Sequence, residues 1–337
     1  MPVPPPPQPG PPPPQPAPPQ GQPRPLSECV VVVTPRSFGM HDPGLRRRLE
    51  AEVGVVHYHP GPLAAAELID VVRDADGLLA GLDQVSAEVF AAAPRLRVVA
   101  RYGVGVDRVD LAAAARHGVT VTATPGANAN AVAEMAMALL FALARPLVPG
   151  RDRARGGEWP ALSGLEVAGR TLGLVGLGRI GSLVARKAAG LGMTVLAYDP
   201  YLTEAELATL VGLGRLVAAA DFVSLHAPLT DQTRGMVNRP LLEQVKPGSA
   251  LINTARGELV NEADLVWALD EGPLRAAALD VLAHEPPGPG HPLLGRDDVL
   301  VTPHMGPHTA EATSAMGSWA LEDLLAVLSG RAPRYAL

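Results

Sequence analysis

The chain has 337 residues, 47 % of them hydrophobic, enough to bury the cores of two domains. With 18 % charged residues and a formal net charge of −6, it lacks the basic face that nucleic-acid binding requires. Its single cysteine, Cys29, excludes an internal disulfide and any metal site built on thiolates.

Residues 1–26 are proline-rich, with fifteen prolines among the first 25 positions. The segment has no apolar periodicity and no apolar h-region, so it predicts a disordered tail with a polyproline II bias and not a signal peptide. Its PxxP spacing also suits SH3-like or WW-like grooves. Short β-branched runs then alternate with alanine-rich stretches. Val30–Thr34, Gly77–Ala80, Arg97–Arg101 and Val119–Thr122 predict strands; Leu45–Glu50, Leu63–Arg73, Ala87–Ala93 and Val109–His117 predict helices between them. His57 and His59 flank Tyr58 in a strand-like run without a carboxylate or cysteine at ligand spacing, which favours an exposed edge over a metal. Asn128–Ala144 predicts a long apolar helix suited to bridging two domains or lining a subunit contact. Its apolar part, Ala131–Ala144, is too short to span a membrane and carries Glu134, so a cytoplasmic protein without a membrane partner is expected.

The strand pattern resumes at Thr171–Val175, Thr194–Tyr198, Asp221–His226, Ala250–Asn253 and Arg275–Leu279, and His308–Leu328 closes the chain as a helix. Strand and helix in alternation, twice over, predict an α/β protein with two doubly wound parallel-sheet domains separated by a cleft. The glycine run Gly176-Leu177-Gly178-Arg179-Ile180-Gly181 directly follows the first of these strands. Asp199 ends the next strand, eighteen residues beyond Gly181. In that context Gly176 makes a tight turn and Gly178 lets the backbone approach a pyrophosphate. Gly181 admits a closely packed helix, whose N-terminus faces the phosphates. Asp199 accepts hydrogen bonds from the adenosine ribose, and its charge favours NAD over NADP. A βαβ unit with incidental glycines is the alternative.

Three polar residues follow later strands: Arg256, Glu285 and His304. Their types suit hydride transfer at a 2-hydroxy acid. An arginine fork grips a carboxylate, a histidine exchanges the hydroxyl proton, and a carboxylate fixes the imidazole tautomer. Taken singly, Arg256 reads as a surface ion pair, Glu285 as turn chemistry before Pro286, and His304 as a capped loop histidine. Downstream of a dinucleotide fingerprint they read jointly as a site. His226, at a strand end, borders the expected cofactor. His308 lies at helical spacing from His304, but no HExxH accompanies the pair and no metal is expected.

The chain resembles the D-isomer-specific 2-hydroxyacid dehydrogenase family, nearer its phosphoglycerate and glyoxylate/hydroxypyruvate branch. The resemblance runs from about Cys29 to about Arg331 and is carried by VAGRTLGLVGLGRIG (167–181), HAPLTDQTRGMVN (226–238), INTARGELV (252–260), DVLAHEPP (280–287) and TPH (302–304). It implies a Rossmann-type NAD domain over 126–305 and a flavodoxin-like substrate domain over 27–125 and 306–337. It places the catalytic set on Arg256, Glu285 and His304. RYGVGVD (101–107) resembles the substrate loop, whose N–H groups near Val104 and Gly105 hold the substrate carboxylate. Arg179 and Ile180 fall at the pyrophosphate, Ala227 and Pro228 beside the adenine, and Thr254 and Asp280 near the nicotinamide. The partners implied are a small 2-hydroxy or 2-keto acid and a second copy in a homodimer. The sequence departs from the family where Arg108 replaces a common asparagine, and where MGPHT follows TPH and brings in His308. The alternative function is an NAD(H)-sensing, non-catalytic scaffold resembling the family's co-repressor members.

Overall fold

The computed structural model describes residues 24–337, so the expectation for the proline-rich segment lies outside the described residues up to position 23. The first unit runs β1 (Val30–Val33), α1 (Pro43–Glu52), β2 (Val55–Tyr58), α2 (Ala65–Val72), β3 (Gly77–Ala80), α3 (Ala87–Ala92), β4 (Val98–Arg101), α4 (Leu111–Arg116) and β5 (Thr120–Thr122). The second begins with α5 (Ala129–Ala144) and α6 (Leu147–Arg155), then β6 (Thr171–Val175), α7 (Arg179–Gly190), β7 (Thr194–Tyr198) and β8 (Thr209–Leu210). It continues through α8 (Leu213–Ala219), β9 (Phe222–Leu225), α9 (Arg239–Leu242), β10 (Ser249–Asn253), α10 (Glu262–Asp270), β11 (Leu274–Leu279) and β12 (Val299–Val301). The closing helix is α11 (Ala310–Leu328).

Both sheets are parallel. The first has order β2-β1-β3-β4-β5, the flavodoxin-like winding. The second has order β12-β11-β10-β9-β6-β7-β8, the Rossmann winding extended by one strand. A parallel sheet covered on both faces needs strands that are apolar throughout, and β1, β3, β4, β9 and β10 are buried along almost their whole length. Strand β2 sits at an edge, and His57 is exposed there as its spacing predicts.

On one face of the first sheet Val31, Val33, Leu79 and Val98 pack with Leu49 of α1 and Leu321, Leu324 and Leu328 of α11. The chain thus returns from the second unit to finish the first. Gly77 makes this approach possible, since a Cβ there would lie 3.3 Å from Leu328 and Val98. The last residues continue along the β5 edge, with Ala336 bridged antiparallel to Thr122 and Leu337 N–H donating to the Val121 carbonyl at 3.0 Å. In the second unit α5 and α7 cover one face of the sheet, and Leu216 of α8 and Leu265 of α10 cover the other.

Helix boundaries shift by up to two residues from the sequence expectation, and side chains cap several of the starts. Asp42 accepts from Gly44 N–H ahead of α1, Asp110 from Ala113 ahead of α4, and Thr309 from Ala312 ahead of α11. Helix α2 starts two residues later than predicted, since Leu63 N–H turns away to the Asp83 carboxylate at 2.7 Å. Among the described residues no single helix is long and apolar enough to cross a membrane; α5 instead buries nine of its residues in the core.

Candidate active site

Winding order fixes where each sheet opens. In the second, the order reverses between β6 and β9, and the glycine turn sits in that gap. Gly176 has φ 94°, and a Cβ there would lie 2.8 Å from Ala227 N and His226 O, so no other residue fits. A Cβ on Gly181 would strike the Gly176 carbonyl. At Gly178, by contrast, a Cβ would meet nothing within 4 Å: the backbone borders open space. Arg179 and Ile180 open α7, whose first N–H groups have no intrahelical partner and no side-chain cap. Asp199, just past β7, accepts from Leu177 N–H at 2.9 Å and from Tyr201 N–H at 3.0 Å. The acid is therefore fixed to the glycine turn itself. Ala227 is buried and Pro228 exposed on the opposite lip. His226 lies beneath the turn with Nε2 2.9 Å from Ser224 Oγ, and burial pushes its pKa down to about 4.

Loops after β10, β11 and β12 build the reactive end. Asn253 folds the first of these: its Nδ2 donates to Arg256 O at 2.8 Å and its Oδ1 accepts from Ala255 N–H at 3.0 Å. Thr254 between them is buried, and its Oγ1 has no protein partner. Arg256 reaches across to the first unit, where Nε and Nη2 both contact Asp107 Oδ1 at 3.0 Å. A Cβ on Gly105 would strike the guanidinium, so that glycine lets the arginine lie on the loop. The N–H groups of Val104 and Gly105 in the same loop have no acceptor among the described residues. Burial would raise the Asp107 pKa, but the Arg256 charge and hydrogen bond outweigh it and hold the carboxyl below its ordinary value.

Glu285 and His304 meet as the sequence pairing anticipates: Glu285 Oε2 lies 2.7 Å from His304 Nδ1. Glu285 Oε1 accepts from Leu282 N–H at 3.0 Å. Burial raises the glutamate's pKa, yet the His304 hydrogen bond and charge, Leu282 N–H and the Arg108 charge together bring it below the ordinary value. His304 has φ 50°, the only positive φ at a non-glycine among the described residues. Asp280 holds it there, through its carbonyl to His304 N–H at 2.9 Å and its carboxylate to Met305 N–H, Gly306 N–H and Thr302 Oγ1. The expected nicotinamide-side residue Asp280 is thus buried, with its carboxylate committed to this loop.

A cleft is lined by Arg256, Glu285 and His304 from the second unit and by Leu82, Asp107 and Arg108 from the first. No local sequence signal marks Asp107, because its partner is 149 residues away. None marks Glu262 either, which accepts from Ala283 N–H at 2.9 Å, pairs with His291 at 3.1 Å and steadies the Glu285 loop. Partial desolvation, followed by the His304 charge, lowers the His308 pKa.

Residues 137–306 match the family model described as D-isomer specific 2-hydroxyacid dehydrogenase, NAD binding domain. The chain is 44 % identical over 271 residues to D-3-phosphoglycerate dehydrogenase of Mycobacterium tuberculosis, covering 78 % of this chain and 51 % of that one. It therefore spans about half the length of such relatives. It is 41 % identical to glyoxylate reductase of Korarchaeum cryptofilum, covering 81 % of this chain and 85 % of that one. Among solved structures, a protein from Thermus thermophilus superimposes with a TM-score of 0.83 at 42 % identity, covering 91 % of this chain and 99 % of that one. NADPH-dependent glyoxylate/hydroxypyruvate reductase from Sinorhizobium meliloti gives 0.81 at 30 %, covering 92 % and 97 %.

Proposed function

The chain belongs to the D-isomer-specific 2-hydroxyacid dehydrogenase family, and from that premise we propose that it transfers a hydride between NAD and C2 of a small 2-hydroxy or 2-keto acid. The observation that carries this reading is the His304–Glu285 pair facing Arg256 in one inter-unit cleft. The residues at the glycine turn fit a dinucleotide: open space at Gly178, a helix N-terminus without partners, and a buried, unpartnered Thr254 Oγ1. Arg179, Ile180, Ala227, Pro228 and Thr254 would line it, with the unit spanning 126–305 as its domain. NAD, when bound, supplies the hydride acceptor and, reduced, the donor.

His304 Nδ1 is taken by Glu285, which leaves Nε2 to give or receive the proton at the C2 oxygen. An anionic Glu285 favours the protonated imidazole needed for keto-acid reduction. Arg256 grips the substrate carboxylate against the N–H groups of Val104 and Gly105, in the substrate unit of 27–125 and 306–337. Asp199 selects NAD, since its fixed carboxylate repels a 2′-phosphate. A second copy docks along α5 and α6: α6 buries no residue, and Phe141 of α5, Leu147 of α6, and Trp159 and Leu162 of the segment after it are exposed, Trp159 at 92 %. The test is NADH oxidation by the purified protein against a panel of 2-keto acids. Turnover of at least one acid is expected, and tight NADH binding without any turnover would overturn the reading.

A further inference from the structure

Arg108 lines the same cleft, and the reaction as described gives it no task. Its one hydrogen bond runs from Nη1 to the Leu82 carbonyl at 3.3 Å. Among the described residues no carboxylate forms an ion pair with it, because the acids around it are engaged elsewhere. Asp107 is held by Arg256, Glu285 by His304 and Leu282 N–H, and Asp83 by Thr34 and the N–H groups of Leu63 and Gly81. Glu258 also lines the cleft, from the second unit, and among the described residues it pairs neither with Arg108 nor with another cation. The cleft thus holds a guanidinium that no carboxylate among the described residues neutralises in an ion pair.

Resting on the hydride-transfer reading above, we propose that Arg108 is a specificity-determining residue that binds a second anionic group, a carboxylate or a phosphate, at the substrate end remote from C1. Arg256 shares its charge with Asp107 and takes the C1 carboxylate. Arg108 has most of its five donors unused and can fork onto a second anion. Leu82 beside it gives an apolar wall to the carbons between the two anionic ends.

The experiment compares wild type, Arg108→Asn and Arg108→Lys by steady-state NADH oxidation. The acids are pyruvate and glyoxylate, with one anionic group, oxaloacetate, with a second carboxylate, and phosphohydroxypyruvate, with a phosphate. In wild type, kcat/KM for one of the two dianionic acids exceeds that for pyruvate and glyoxylate by about tenfold or more, and the preferred one identifies the group. In Arg108→Asn the ratio of dianionic to monoanionic kcat/KM falls by about tenfold, mainly through KM, and Arg108→Lys recovers part of it. A wild-type preference for monoanionic acids overturns the inference and leaves the hydride-transfer reading standing. An equal loss on all four acids in both variants, with a shifted pH profile of kcat, does the same and assigns Arg108 to the electrostatics of Glu285. No turnover of any acid removes the hydride-transfer reading, and this inference with it.

Discussion

At the residue scale, the site depends on how few positions have freedom. His304 is held in a left-handed conformation by four contacts to Asp280 and its neighbour Thr302, and its Nδ1 is fixed by Glu285. On the proposed mechanism, replacing the imidazole removes proton transfer without disturbing the glycine turn. His304→Gln should lower kcat by about 10²–10⁴-fold. NADH binding, followed by fluorescence titration, should survive. Gly105 gives a more discriminating case. Its substitution by alanine is tolerated by the backbone but drives a methyl into the Arg256 guanidinium. Gly105→Ala should cost about 10²-fold in kcat/KM through displacement of the arginine. The urea unfolding midpoint should be nearly unchanged, so equal losses of stability and activity would contradict the assignment.

At the element scale, the β6–turn–α7–β7 unit joins sequence to chemistry most directly. Asp199 ties β7 to the glycine turn through Leu177 N–H, so the residue proposed to select the cofactor also shapes the turn. Asp199→Ala should reduce the ratio of kcat/KM with NADH to that with NADPH, and raise KM for both cofactors as the turn loosens. This unit was legible in the sequence because its signals are local: a β-branched run, glycines at fixed offsets, an acid at a strand end. Arg256, Glu285 and His304 were legible for the same reason, each following a strand. Elements without such signals were not. Helix α6 carries Pro149 and Gly150 within its nine residues, and β8 has only two residues. The Arg256–Asp107 pair, the Glu262 clamp and the committed carboxylate of Asp280 join distant segments, and no local period encodes them.

At the scale of the whole molecule, the histidines whose pKa values the fold lowers set the acid limit. His226 has its pKa lowered from 6.5 to about 4 in the folded state, so the fold favours the neutral ring. Its contribution is present in full above the unfolded value and is lost as pH falls from 6.5 toward 4. His308, also lowered, acts in the same direction. Asp107 and Glu285, whose folded values are depressed, lose their contributions only lower, as pH falls below the ordinary carboxylate range. Unfolding free energies from urea titrations between pH 7 and pH 4 should therefore fall, by up to about 3 kcal/mol for His226. His226→Asn, which keeps a partner for Ser224, should flatten that decline; an unchanged slope would mean that other groups govern it.

The return of α11 to the first sheet has a consequence for how the chain is made. During synthesis the face formed by Val31, Val33, Leu79 and Val98 has no complete cover until Leu321, Leu324 and Leu328 leave the ribosome. The seven-stranded unit lies wholly between these two groups and can complete its own core first. Its two attachment points end close together, since a Cβ on Gly306 would lie 3.7 Å from Val132 at the start of α5. The nascent second unit thereby works as a short bridge, bringing the last helix to a sheet built roughly 200 residues earlier at the closure entropy of a far shorter loop.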